Sequence, residues 1–311
     1  MVSKFGQYWD PVVTRFSQHW RPHHRLSRLM HALTRISFAP WKNGQINWFI
    51  RRYGVDMSIA PFRDAAGYKN FNDFFTRHLV PGSRPICTDR HAVISPVDGT
   101  VSQIGEIVDG TLFQAKGLVC DVETLLGGSA SRAQTFSEGS YATLYLSPRD
   151  YHRVHMPLRG ELQQMIYVPG KLFSVSPRTT RTISNLFAQN ERVIALFKTE
   201  FGPMAVVLVG AIFVGSIECV WAGTVTPRTT RVIETWDYSG LPENRVVLDK
   251  GAELGRFNMG STVILLFGPK MVTWDLDIVP NASLRMGQRL GQRRNAHRAA
   301  HLQIARAHPS S

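Results

Sequence analysis

The sequence predicts an α+β fold, with N-terminal amphipathic helices followed by a β-rich, sandwich-like catalytic body. Three observations carry this. Leu26, Leu29, Met30, Leu33 and Ile36 recur at helical spacing, as do Val12, Val13, Phe16 and Trp20 one segment earlier. From about Ala92 onward, short runs rich in β-branched and aromatic residues replace that period, with Gly, Pro, Asn and Asp between them. Strand and helix patterns do not alternate, so the chain lacks the signature of a doubly wound sheet.

The elements follow in order. The helical pattern fades after Tyr53. Residues 71–77 read as a short helix that Pro81-Gly82 terminates. Strands are expected over 93–95, 101–107, 141–146, 161–168, 192–201, 204–209, 212–220 and 262–267, and short helices over 122–126 and 184–189. No internal repeat or low-complexity linker interrupts them.

Composition excludes several classes. The chain has 311 residues, 43% of them hydrophobic, enough for one large core or two modest domains. The longest nearly apolar run, 204–215, contains Gly210 and Gly215 and is too short to cross a bilayer as a helix. The first 30 residues carry Trp, His and Arg throughout, so no secretory signal is read there. Cys87, Cys120 and Cys219 are too widely spaced for a disulfide framework or a zinc knuckle and fit a reducing compartment.

The formal charge of +13 is concentrated at the ends. Residues 1–53 hold nine Lys/Arg against Asp10 alone, and residues 285–311 hold six Arg and no acid. A near-neutral body of 56–284 is therefore expected between a basic amphipathic segment, 1–55, and a basic tail, 285–311. The N-terminal segment also holds Trp9, Trp20, Trp41 and Trp48. Basic helices with aromatic anchors suit an anionic membrane interface. They equally suit packing on the protein's own body, and Trp with Arg also occurs in nucleic-acid binding.

Three stretches carry candidate chemistry. Residues 95–100 (SPVDGT) place Asp98 in a Pro/Gly-bounded turn, where it either serves a site or caps its own turn. Residues 147–157 (SPRDYHRVHMP) bring His152 and His155 together among Arg, Asp and Tyr, a setting for acid–base work. No Cys, Asp or Glu at matching spacing completes a metal site, so none is expected. Residues 255–267 set Gly260-Ser261-Thr262 between two strand-like runs, either as a plain turn or as a serine site. Asp98, His155 and Ser261 also permit a serine-hydrolase triad acting on an external substrate, because a triad is defined by geometry. The G-x-S-x-G elbow of the α/β-hydrolases is absent. A non-enzymatic membrane or nucleic-acid binding module is the remaining alternative.

Taken in order, residues 71–77 with Arg84-Pro85, 95–100, 114–117, 145–157, 167–170, 172–175, 185–191, 199–209, 221–224 and 250–267 closely resemble the bacterial phosphatidylserine decarboxylase proenzymes. The resemblance spans roughly residues 55–270. Its one departure within a functional motif is Met259-Gly260-Ser261-Thr262, where the family usually has Leu-Gly-Ser-Thr. Leu→Met keeps volume and polarity, so activity is expected to survive.

The resemblance implies a pyruvoyl enzyme that makes its own cofactor. Ser261 would attack the Gly260 carbonyl and convert the amide to an ester. Loss of the Ser261 Cα proton would expel the Gly260 carboxylate, and the resulting dehydroalanine would hydrolyse to pyruvoyl and ammonia. The products are a β chain, 1–260, and an α chain, 261–311. By the same resemblance His155 is the base for self-cleavage and Asp98 orients it. The pyruvoyl ketone then forms a Schiff base with the amine of phosphatidylserine, and His152 acts as acid or places the substrate carboxylate. Ser174 is a substrate-side contact. Also implied are release of phosphatidylethanolamine, peripheral attachment to the cytoplasmic face of the cell membrane through the N-terminal helices, a homodimer of cleaved protomers, and no role for nucleic acid.

Overall fold

The computed structural model describes residues 30–115, 117–212, 216–228, 230–240, 242–258 and 261–294. The helix expected over 12–20, the Met259-Gly260 half of the motif and the tail beyond Arg294 lie outside them. The architecture is α+β: helices first, then several antiparallel sheets.

Helix α1 (Ala39–Tyr53) begins with Pro40 in its first turn, where a missing N–H costs nothing. It ends at Gly54 (φ 65°), whose N–H returns to the Ile50 carbonyl at 2.9 Å. Arg51 and Arg52 in the last turn complement the helix dipole. Helix α2 (Phe71–Phe75) is capped by the Asn70 side chain, which accepts from Asp73 N at 3.0 Å. The two helices share a small core of Ile46, Phe49, Tyr68, Phe71, Phe74 and Phe75. Phe49 meets Phe71 edge-on at 5.1 Å between ring centroids. The opposite side of α1 leaves Trp41 and Trp48 exposed, with Phe38 just before the helix. Part of the N-terminal segment thus packs on the body while its outer face stays apolar.

The body is a succession of strands. β1 (Ala92–Ile94) and β2 (Gly99–Glu106) flank the Asp98 turn, and β3 (Thr111–Ala115) pairs with β4 (Leu118–Asp121). Helices α3 (Val122–Leu125) and α4 (Ala130–Phe136) lead to β5 (Ser140–Leu146), β6 (Arg153–His155) and β7 (Gly160–Val168). After α5 (Pro177–Thr180) and α6 (Leu186–Gln189), β8 (Arg192–Thr199) and β9 (Gly202–Val209) form a hairpin. Short strands β10 (Ile217–Cys219), β11 (Gly223–Thr224), β12 (Glu234–Asp237) and β13 (Val247–Leu248) precede β14 (Glu253–Phe257) and β15 (Ser261–Phe267). β16 (Val272–Trp274), β17 (Ser283–Leu284) and β18 (Arg289–Arg293) follow.

The largest sheet runs β12-β7-β8-β9-β15-β5-β2-β17, with β13 also paired to β7. Every residue of β15 is buried, which explains why its sequence is an unbroken apolar run after Thr262 instead of an alternation. A second sheet, β11-β10-β14-β6, carries the two histidines' neighbourhood. The third, β1-β18-β16, corrects the expected boundary at residue 285: β18 pairs with β1 and β16, so the body extends through Arg293. Arg293 N donates to the His91 carbonyl and Arg289 clasps Asp275 at 2.7 Å. Paired strands override the composition that marks this stretch as a basic tail.

Candidate active site

In the antiparallel sheet, neighbouring strands start and finish at the same edge. At one edge β15 starts with Ser261, β5 finishes opposite it at Leu146, and β9 finishes at Val209 opposite Thr262. β2 starts there too, Thr100 opposite Tyr145. The Asp98 turn, the 147–152 loop and Ser261 are therefore brought together although they lie far apart in sequence. Gly99 makes the turn possible: a Cβ there would sit 2.3 Å from the Tyr145 carbonyl oxygen.

Ser261 is fully buried, and its hydroxyl has no hydrogen-bond partner among the described residues. Buried hydroxyls normally find one. Two residues before Gly260, Asn258 is clamped: its N–H donates to the Ser216 carbonyl at 2.9 Å, and its side-chain amide donates to Ser216 Oγ and, at 2.8 Å, to Glu218.

His152 is also fully buried and stacks on Phe75 at 4.1 Å between centroids. Its Nε2 bonds to the Ser147 carbonyl at 3.1 Å, so Nε2 carries the proton. Nδ1 is then a bare lone pair, and it has no partner among the described residues. Burial, reinforced by the Arg77 guanidinium, pushes this imidazole down to about 3. The His152 carbonyl accepts from Phe257 N, which ties the histidine to the strand leading into the Gly-Ser motif.

His155 sits one pleat further on, opposite Glu253. Its Nδ1 donates to the Gly251 carbonyl at 2.8 Å, and its Nε2 accepts from the Tyr151 hydroxyl at 3.0 Å. Burial lowers its pKa, opposed by the Gly251 hydrogen bond and the Glu253 carboxylate. Asp98, in turn, is held by Arg84, with Nε to Oδ1 at 2.8 Å, and by Met286 N at 2.8 Å. Asp98 and His155 make no direct hydrogen bond: His155 has both nitrogens engaged elsewhere and Asp98 is held by a cation. The two still share one corner, because His155 N donates to the Pro96 carbonyl at 2.8 Å.

Ser174 lies half-buried and accepts from Ser176 N at 3.3 Å. Its loop reaches the same edge, because Asn190 bonds both Phe173 and Gly210, the residue after β9. Sequence reasoning gave no role to Arg84, Tyr151, Gly251, Phe75 or Asn258. Tyr151 stood inside the histidine stretch, but no local signal marks Gly251, 96 residues from the ring it holds. No group of three or more metal-ligating side chains occurs among the described residues.

A family model described as phosphatidylserine decarboxylase matches residues 71–292, a span that contains every residue of this corner. The chain belongs to the phosphatidylserine decarboxylase family. A second family model, described as PSD, matches residues 14–54. Relatives within the family include the phosphatidylserine decarboxylase proenzyme of Bordetella pertussis, 54% identical over 275 residues, covering 88% of this chain and 92% of the relative. That of Bordetella avium is 52% identical over 274 residues, covering 88% and 92%. That of Shewanella pealeana is 51% identical over 272 residues, covering 87% and 95%.

Proposed function

We propose that this chain decarboxylates phosphatidylserine to phosphatidylethanolamine with a pyruvoyl group that it makes from its own Ser261. The setting of Ser261 carries the reading: a fully buried hydroxyl without a partner among the described residues, heading the central strand directly after Gly260. Buried hydroxyls are usually bonded; Ser140, Thr143 and Thr262 also lack partners among the described residues, and what sets Ser261 apart is its place directly after Gly260. A serine kept to attack its own preceding carbonyl needs its lone pairs free. The residues therefore fit the group. Once formed, the pyruvoyl ketone supplies the electron sink that amino-acid decarboxylation requires and that no ordinary side chain offers.

Self-cleavage separates residues 1–260 from 261–311. The two chains stay associated because β15 is hydrogen-bonded on both sides, to β5 and to β9, which both belong to the larger chain. His155 takes the Ser261 proton, its Nε2 exchanging the Tyr151 hydroxyl for that of Ser261. The Gly251 carbonyl fixes the tautomer this requires. Asp98 supports the resulting positive charge through space, the least of the influences on His155. In turnover His152 handles the proton at carbon or places the substrate carboxylate, and its neutral ring avoids burying a second cation beside Arg77. Ser174 contacts the substrate from the opposite loop.

No helix among the described residues is long and apolar enough to cross a membrane. The exposed Phe38, Trp41 and Trp48, with Arg51 and Arg52 on the same helix, form a face suited to the surface of an anionic bilayer. Peripheral attachment at the cytoplasmic side and a homodimer of cleaved protomers complete the reading.

Intact mass under denaturing conditions tests it. Two fragments are expected, divided after Gly260, with the smaller lighter by one ammonia than a serine-started peptide. Ser261→Ala should leave one uncut, folded, inactive chain. An uncut chain in active protein, labelled at Ser261 by a fluorophosphonate, would make it a serine hydrolase instead.

A further inference from the structure

The FNDFFTR stretch, residues 71–77, is part of the family pattern, yet its arginine has no place in the chemistry above. Arg77 follows α2 and is only 5% exposed. Its guanidinium lies over the Phe74 ring at 5.2 Å, and Nη1 reaches the Phe74 carbonyl at a long 3.4 Å. Among the described residues Nε has no partner and no carboxylate stands within ion-pair distance. Burial lowers its pKa, but a guanidinium does not lose its proton in a protein. A buried, unpaired cation is costly, so this one is poised for an anion.

Arg77 lines a cleft of about 230 Å³ with Asp56, Arg84, Asp98, Arg149, Asp150 and Tyr151. The carboxylates there are already engaged. Asp98 takes Arg84 and Met286 N, Asp150 takes Ser147 N at 2.7 Å, and Asp56 takes the Ser58 N–H and hydroxyl. Among the described residues Arg77 is left as the buried charge of the cleft without an ion-pair partner, Asp98 and Asp56 acting on it only through space. Two walls of the cleft matter for function. Tyr151 is bonded to His155, and the 147–151 loop leaves β5 opposite Ser261. Gly54, also lining it, ends α1, the helix with the exposed tryptophans. The cleft therefore lies between the apolar outer face and the self-cleavage edge.

We propose that the Arg77 cleft binds the phosphodiester of the substrate headgroup, which resting on the decarboxylase reading makes Arg77 a substrate-binding residue. The planar fork of the guanidinium matches two phosphate oxygens, and Arg149 at the rim adds a second, exposed cation. A phosphodiester held there stays near the bilayer surface while the serine end points inward.

The test uses the processed enzyme and a soluble, short-chain phosphatidylserine, so that bilayer affinity plays no part. Arg77→Gln is expected to self-cleave normally by mass and to raise KM about tenfold or more with kcat largely kept. Inorganic phosphate should compete with substrate in the wild type and cease to compete in Arg77→Gln, while L-serine competes equally in both. Acyl-free glycerophosphoserine should compete more tightly than inorganic phosphate, which distinguishes a headgroup site from a general phosphate site. An unchanged KM, phosphate competition retained in the variant, or loss of serine competition alone overturns the assignment. So does glycerophosphoserine binding no better than phosphate. Calorimetric titration of wild-type protein with inorganic phosphate at constant ionic strength is independent of turnover and of how the variant folds. Saturable binding supports the cleft even if decarboxylation fails, and no binding overturns it.

Discussion

Ser261 Oγ and His152 Nδ1 are both buried without a partner among the described residues, a state that costs about 1–3 kcal/mol for each group. Both lie beside the Gly-Ser motif, where Asn258 Oδ1 and Thr262 Oγ1 are also buried without a partner among the described residues. His155 differs: it is fully hydrogen-bonded, by Tyr151 and Gly251. The two histidines therefore make separable predictions. His155→Ala should abolish or slow self-cleavage by about 100-fold or more, the size of a general-base contribution. His152→Ala should cut and then turn over slowly. Fragment formation followed by mass over time, alongside carbon dioxide release, separates the two. The reverse pattern would assign the self-cleavage base to His152, whose free lone pair is already in place.

Elements set how far these residues can move. β15 lies between β9 and β5 and is buried along its length, so its first residue is held at the sheet edge by six further residues of core. Ile264→Ala should cost about 2–5 kcal/mol in urea unfolding, as a cavity in a packed core does. If the loss is below 1 kcal/mol, β15 is not the structural centre described here. Helix α1 works differently, using one face for the Phe49 cluster and leaving the other uncovered. Replacing Trp41 and Trp48 together by Ala should weaken binding to anionic vesicles about tenfold or more, with self-cleavage by mass unchanged. Equal vesicle binding by the double variant would place the membrane contact elsewhere. Arg153 joins these layers: it bonds Thr76 O, His78 and Glu253, fixing the chain after α2 against β6 and β14.

Across the molecule, buried histidines give stability a pH dependence of definite sign. His152 ordinarily titrates near 6.5 and is held at about 3 in the fold. The native state keeps it neutral while the unfolded chain takes up a proton below 6.5. Its contribution is therefore complete above that value and is lost as pH falls toward 3, at about 1.4 kcal/mol per pH unit. His155, lowered by burial, acts in the same sense, whereas Asp150, raised by burial, opposes it at the acid end. Urea midpoints from pH 7 to pH 4 should fall steeply for the wild type and less steeply for His152→Gln. Parallel slopes would mean that the ring is not buried neutral.

Much was legible in the sequence because it is written in local periods. The helix-then-strand order, the strand at 262–267 and the turn at Asp98 follow from spacing, β-branched runs and Pro/Gly punctuation. The self-cleavage motif and its histidines stood in short contiguous strings, which is why a resemblance was readable. Other features depended on pairings that no local pattern encodes. Strand β18 looked like a basic tail because charge is a property of composition, while its place between β1 and β16 is a property of register. The partners of the candidate catalytic residues belong to the same class. His155 meets Gly251 and Arg153 meets Glu253 only because β6 and β14 run side by side. By itself, the sequence determined the fold class and the family resemblance that nominates Ser261 as the nucleophile. Only the tertiary structure decided that Asp98 is held by Arg84, that His155 is held by Tyr151 and Gly251, and that Arg77 is buried without an ion-pair partner among the described residues. Those outcomes turn on competition among groups distant in the chain, settled when the strands close.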